Sequence, residues 1–338
     1  MIKICPLGPF ELKQVLTLLE RYSEGESEYA MLRQMQQLYI PMHRLIRILP
    51  LGMQFLPGLF VAVANKKVLG LIGLSKDGQQ ARRWKIDHLI IDPDSSTYDI
   101  GTQLISYVVN RYGGEGVQTF LAEVDQHDTI SMGLLKSSGF RQCTRSHYFS
   151  SRSGLVLNSE ISIEGIREFR NIDADSLSQL YREMLPPDAR VSLDRSANDF
   201  KRHFLKIGKE RLKGSFFKRW IVADSARDCL TSCVELSSRD YKNFHIKLYN
   251  HPAWDTQGEG LLSFAINQAN KMTSQAEFTS DCYECFSQSI RSIEAAGFHR
   301  DGVSQVLVKD YWIPIQDKGN RLKSPLLLFS GRPSPALN

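Results

Sequence analysis

The sequence predicts a mixed α/β fold, a partly antiparallel sheet flanked by helices, laid out twice along one chain. Three observations predict it. The chain has 338 residues, about twice a common domain length. It is 42% apolar, 10% aromatic and 23% charged, which suffices for a packed core and excludes a disordered or fibrous chain. Strand and helix signals run in the same order in both halves, and three landmarks repeat at a nearly constant offset. Pro93 and Gly101 recur as Pro252 and Gly260, 159 residues on, and Gly139-Phe140 recurs as Gly297-Phe298, 158 residues on.

In the first half, Ile4-Cys-Pro-Leu precedes a helical pattern over 12–22. Apolar runs over 60–64 and 68–72 flank the polar turn Asn65-Lys66-Lys67, a hairpin signal. A strand over 84–91 ends at Asp92-Pro93, and Gly101 reads as the opening of an amphipathic helix from Thr102. A strand over 119–124, a helix and Gly139-Phe140 close the unit. The second half repeats this with Ile166–Phe169, a helix through Leu177 and Leu180, a hairpin over 220–224 and 230–234, and a strand over 244–249. His251-Pro252, a helix at Gly260 and Gly297-Phe298 complete it. The units are placed at 1–150 and 164–315, joined by a linker at 151–163. The tail, 316–338, is expected to be poorly ordered.

Lysine and arginine total 42 against 37 acidic residues, a net charge of +5, too slight for a general nucleic-acid signature. The basic stretch 201–213, continuing to Lys218-Arg219, reads as an amphipathic helix with a cationic face, either solvated or turned to an acidic partner. It carries no aromatic stacking pattern that would point to nucleic acid. The N-terminus does not resemble a secretory signal, and the apolar window Leu45–Ala64 is broken by Arg47, Pro50, Gln54 and Pro57. No membrane span and a cytoplasmic location are expected. Six cysteines in a chain of this length do not make a disulfide framework. Cys229 and Cys233 fall on a predicted strand, where such positions lie roughly 13 Å apart, too far for one zinc ion. Cys282 and Cys285 have no partner pair, so no metal is expected.

A strand ending at a Pro turn, then a glycine at the mouth of a helix, offers main-chain N–H groups and a helix dipole to an anion. The first half reads Asp87-His-Leu89-Ile-Ile91-Asp-Pro93, then Ser96-Thr-Tyr-Asp99-Ile-Gly101. This resembles the GNAT superfamily of acyl-CoA-dependent N-acyltransferases, and the resemblance covers both halves. In that family the strand carries an acid and a closing Pro, and a loop with Arg or Gln and two small residues holds the CoA pyrophosphate. The resemblance implies acetyl-CoA, or another acyl-CoA, as co-substrate and a small-molecule or peptide amine as acceptor. It implies Asp87 as general base, with Leu89, Ile91, Ile100, Gly101, Thr102 and Asp128 around the cofactor. The alternative for Asp87 is an ion pair with Arg82 or Arg83.

The departures from the family pattern matter. Ser96 stands for the Arg or Gln, and Asp99 for the middle glycine. A carboxylate there would repel a pyrophosphate by about 3–4 kcal/mol at an effective dielectric of about 20, unless it serves instead to cap the helix. In Asp128-Thr-Ile-Ser-Met-Gly-Leu134-Leu135, Asp128 replaces the family's Asn, and Leu135 replaces the Tyr that protonates the leaving thiolate. The second half keeps Gly258 and Gly260, so its loop is expected to admit a pyrophosphate more readily, with Leu248 and Asn250 on its strand. It has Ile246 at the base position. The functional reading is an N-acetyltransferase acting by direct attack, or a catalytically inactive protein of the same descent that binds a ligand or partner.

Overall fold

The computed structural model describes residues 2–22, 58–79, 82–151, 165–202, 214–224, 227, 229–254 and 257–311. The predicted linker after Ser151, the basic segment 203–213 and the tail 316–338 fall outside them. Twelve strands form one continuous sheet. The first half supplies β1 (Lys3–Pro6), β2 (Gly58–Ala64), β3 (Lys67–Lys76), β4 (Arg83–Ile91), β5 (Thr119–Asp125) and β6 (Arg141–Ser150). The second supplies β7 (Ile166–Glu168), β8 (Phe216–Asp224), β9 (Cys229–Ser238), β10 (Asn243–Asn250), β11 (Glu277–Tyr283) and β12 (His299–Asp310).

The predicted hairpin is closed by Asn65 and Lys66, both at positive φ (50° and 63°), the two-residue turn that suits strand twist. Lys218 and Arg219 lie on strand β8, not on the cationic helix the sequence suggested. Arg219 is buried and bonded to Glu235 at 2.6 Å, so a guanidinium that looked solvated is an internal cross-strand partner.

The strand order is β1-β2-β3-β4-β5-β12-β6-β11-β10-β9-β8-β7. Each half therefore lends its last strand to the other: β12 pairs with β5, β6 with β11, and β6 and β12 pair with each other at the centre. The sequence boundary near residue 150 does not coincide with a boundary in the sheet. Among the described residues, only β4 with β5 and β10 with β11 run parallel.

In the first half, helices α2 (Thr97–Gly114) and α3 (Thr129–Ser137) cover one sheet face. Ile100, Leu104, Ile105 and Leu134 pack there on Trp84, Ile86, Phe120 and Ala122. Helix α1 (Pro9–Tyr22) packs on the other face against Val61 and Leu71. The second half places α4 (Ala174–Met184), α5 (Pro187–Leu193) and the short α6 (Ala197–Phe200) on one side, and α7 (Gln257–Asn270) and α8 (Ser287–Ala295) on the other. Its core also takes in Leu121 and Phe149 of the first half. No helix among the described residues is long and apolar enough to cross a membrane.

Polar contacts add to the exchange. Asp77 at the end of the β3 hairpin binds Arg83 at 2.7 Å and reaches Arg195 of the second half at 3.4 Å. Asp199 accepts the Gln79 N–H at 2.7 Å. Burial pushes the Asp77 carboxyl up, but Arg195 and Arg83 outweigh it and hold its pKa below the ordinary value.

Because each half completes the other's sheet, the chain should unfold in one cooperative transition, with circular dichroism and tryptophan fluorescence coincident in urea. Two separated transitions would contradict the exchange. Asp77→Asn should cost about 1–3 kcal/mol at neutral pH, less than breaking a fully buried pair, since Asp77 is partly exposed. A lowered carboxylate contributes fully above its unfolded value of about pH 4 and loses that contribution as pH falls through the lowered value. The variant should therefore lose less stability on acidification than the parent, read from urea midpoints across that range.

Candidate functional site

Strands β4 and β5 pair only from Arg83–Ile86 against Thr119–Ala122. Beyond that, β4 follows β3 to Ile91, and β5 follows β12 to Asp125. The two strands diverge as the arms of a V, and Asp87–Ile91 pairs with no strand on the β5 side. Strands β10 and β11 diverge in the same way after Ile246 and Ser280. Each half thus has one splayed pair of parallel strands.

The apex differs between the halves by one residue. Along β3 and β4 the pairing steps from Gly73 with His88 to Leu74 with Ile86, so Asp87 is an extra residue in a β-bulge. Strands β9 and β10 pair without interruption, Leu236 with Ile246 and Val234 with Leu248. Ile246 therefore corresponds to Ile86, and Asp87 has no counterpart, which corrects the placement of Ile246 at the base position. A bulge re-aims the side chain it carries, and Asp87 is exposed. Arg83 is bound to Asp77, and among the described residues Asp87 makes no ion pair.

Three apex groups were not apparent from the sequence, because cross-strand pairing leaves no local pattern. Glu123, the first β5 residue after the last pair, binds Lys85 Nζ at 2.5 Å and accepts the Tyr148 hydroxyl at 3.4 Å. Burial acts against the Lys85 charge, but Glu123, Tyr148 and Asp87 outweigh it and hold the ammonium pKa above its ordinary value. The same device recurs in the second half as His245 and Lys247 on Asp281, at 2.7 and 3.1 Å.

The helix after β4 starts earlier than predicted. Ser96 is the N-cap of α2, and the Ile100 N–H already donates to the Ser96 carbonyl. Gly101 and Thr102 lie in the second turn, where their N–H groups serve the helix. The free N–H groups are those of Thr97, Tyr98 and Asp99. Gly101 is instead a packing glycine: a Cβ there would meet Leu134 and stand 2.9 Å from Ile91. Ile100 is buried in the core. Asp99 occupies the first turn, and its Oδ2 accepts the Ser96 hydroxyl at 2.6 Å. It therefore both favours the helix start and sets a negative charge where a phosphate would approach.

Asp128 caps α3, its Oδ1 accepting the Ser131 N–H at 2.9 Å. Leu135 is buried in the core, so this position presents no hydroxyl to the cleft.

In the second half Asp255 and Thr256 of the predicted cofactor loop lie outside the described residues; its two glycines are packed. A Cβ on Gly258 would meet Ser292 Oγ and stand 2.9 Å from Asn250 Nδ2, and Gly260 is buried. These glycines let α7 approach its own neighbours. Leu248 and Asn250 are buried, whereas Leu89 and Ile91 are half-buried. Asn250 accepts the Ser232 hydroxyl at 2.5 Å. Between Tyr181, Arg195, Tyr249, Tyr283 and Phe286 a cavity of about 30 Å³ remains, room for about one water. Burial pushes the Tyr249 and Tyr283 hydroxyls well above their ordinary pKa. No cluster of three metal-ligating side chains occurs among the described residues.

Residues 19–140 match the model of the acetyltransferase (GNAT) family. No curated protein matches the chain. Among solved structures, a tandem GNAT protein from the clavulanic acid biosynthesis pathway is 13% identical, with a TM-score of 0.58 over 93% of this chain and 100% of that one. A GCN5-related N-acetyltransferase from Sphaerobacter thermophilus is 12% identical, with a TM-score of 0.58 over 93% of this chain and 97% of that one. At these identities the likeness establishes the fold.

The packing role of the glycines is testable by stability alone. Gly101→Ala and Gly258→Ala should each cost about 1–3 kcal/mol through overpacking, measured by urea denaturation. A neutral Gly258→Ala would mean that α7 does not sit this close to Ser292.

Proposed function

We propose that this chain is a tandem member of the GNAT superfamily and an acyl-CoA-dependent N-acetyltransferase working in its first half. One observation carries the reading. The first V is edged by the half-buried residues Leu89 and Ile91 and presents an exposed bulge carboxylate, while the second is lined by its own aromatic side chains.

In this reading the pantetheine arm lies along Asp87–Ile91, and the pyrophosphate faces the free N–H groups of Thr97–Asp99. Attack of an amine on the thioester requires a proton to leave the nitrogen and one to reach the sulfur. Asp87, directly or through water, takes the first. Leu135 cannot deliver the second. Tyr148 can, because burial and Glu123 hold its hydroxyl protonated, above its ordinary pKa, and it stands beside the apex. Water is the other donor. The acceptor is a small-molecule or peptide amine, and the compartment is the cytoplasm.

A second reading, a non-catalytic binding protein, is favoured by Asp99 at the first turn of α2 and by the buried Leu135. Calorimetry with acetyl-CoA separates the two, since absence of binding at millimolar concentration sinks the enzyme. With binding, Asp99→Gly should tighten it by up to about tenfold, since the carboxylate no longer has to be turned aside. Asp87→Asn should lower the rate of thiol release in the presence of amines by about 10²–10⁴ and leave acetyl-CoA affinity unchanged. A full-rate Asp87→Asn variant would remove the base assignment.

A further inference from the structure

A cavity of about 870 Å³ opens between the halves, at the end of the sheet where β4 and β5 begin. Its walls are the first residues of those strands, the helices α4 and α5, and the segment 194–199 leading into α6. It lies within the size range of small-molecule sites, yet its lining is polar, with Thr119, Ser178 and Gln179 among hydroxyl and amide groups.

The charges lining it are unequally committed. Asp77 is held by Arg83 and Arg195. Asp199 accepts N–H groups of Gln79 and Ser196. Asp194 accepts the Arg195 N–H, and Glu183 is bonded to His251 at 3.0 Å. Of the lining carboxylates, Asp175 alone has no such partner among the described residues. The cations are freer. Arg190 uses its Nε on the carbonyls of Arg182 and Leu185, each at 2.9 Å, which fixes the guanidinium without an anion. Arg82 makes no ion pair among the described residues. Arg182 approaches Asp194 only at 3.4 Å, with 64% of its side chain exposed.

We propose that this inter-half cavity is a binding site for a small polyanion, a phosphate- or polycarboxylate-bearing molecule clamped between Arg82 of the first half and Arg182 and Arg190 of the second. Planar guanidinium groups suit both phosphate and carboxylate oxygens, and the surrounding hydroxyls and amides suit a hydrated ligand. Arg195 lines both this cavity and the 30 Å³ remnant of the second V, packed over the Tyr181 ring at 5.8 Å. It walls the polyanion site off from that apex. The cavity lies where β4 and β5 begin, whereas the first cleft opens beyond Ile86, so the site is separate from acyl transfer in the first half, and a ligand there would tie the halves together and raise their stability by mass action.

The test is calorimetry on the full chain with citrate and, separately, inorganic pyrophosphate. At least one should bind saturably, raise the melting temperature, and lose about tenfold or more in affinity in Arg82→Gln and in Arg182→Gln, each removing a charge-assisted contact. Both side chains are exposed, and an unchanged melting temperature without ligand verifies the fold. Acetyl-CoA affinity, measured on the same variants, should not move, so failure of this site and failure of the acyltransferase reading are told apart. The proposal is overturned by no saturable binding of either anion at millimolar concentration. It is equally overturned by binding that survives both substitutions, or by pyrophosphate binding that acetyl-CoA displaces and Arg82→Gln leaves intact.

Discussion

The main-chain pairing of β12 with β5 and of β6 with β11 is the constraint on which the rest depends. A parallel strand that leaves its neighbour must find another partner or expose its hydrogen-bonding groups. Strand β5 leaves β4 at Ala122, and its last residues, Glu123–Asp125, are held on their other edge by Ser304–Val306 of the other half, which leaves their β4-facing groups open to the cleft. Strand β11 leaves β10 at Ser280 and is held on its other edge by Ser146–Tyr148. Each V is held open by a strand belonging to the opposite half, so neither cleft is a local property of the sequence that lines it.

On this shared frame the two clefts diverged by small means. Both keep a cation and a carboxylate across the apex, Lys85 with Glu123 and Lys247 with Asp281. The first has one inserted residue, Asp87, which kinks β4 and carries a charge into solvent. The second has unbroken pairing, and Tyr181 meets Tyr249 and Phe286 edge-on at 5.7 and 5.6 Å. Such aromatic pairs contribute about 0.5–1.5 kcal/mol each beyond their buried area. A half that fills its cleft with rings gains stability that a half holding a solvated groove cannot have.

Duplication was legible in the sequence because Pro93 and Gly139, with their repeats, punctuate turns, and turn geometry tolerates few substitutes. The exchange was not, because a half-buried last strand shows the same alternation whichever neighbour it joins. The offset of 159 shared by the Pro and Gly landmarks concealed the bulge: it holds after Asp87 as far as Gly101 but is 160 before it, as Ile86 and Ile246 show. Gly101, Gly258 and Gly260 misled for another reason. A glycine at a helix start serves a ligand's approach or the protein's own close packing, and the residue itself does not distinguish them. The better signal was Ser96 followed by Asp99, a first-turn pattern that places the helix start at Thr97.

The obstructions in the two clefts differ in kind, and that difference assigns the roles. In the first half the obstacle to an anionic cofactor is Asp99, an exposed side chain whose hydrogen bond within the described residues is to a rotatable serine hydroxyl. Swinging it outward exchanges one exposed hydrogen bond for water, a net change of about 0.5–1.5 kcal/mol, well below the repulsion it relieves. In the second half the obstacles are Tyr181, Tyr249 and Phe286, all buried and locked against one another. Removing a buried aromatic from a packed core costs about 3–5 kcal/mol, and several would have to move together. A cleft closed by one rotatable charge can still open to a ligand, whereas a cleft closed by interlocked rings is part of the core. On the proposed reading, the second half is therefore the structural partner and acyl transfer belongs to the first.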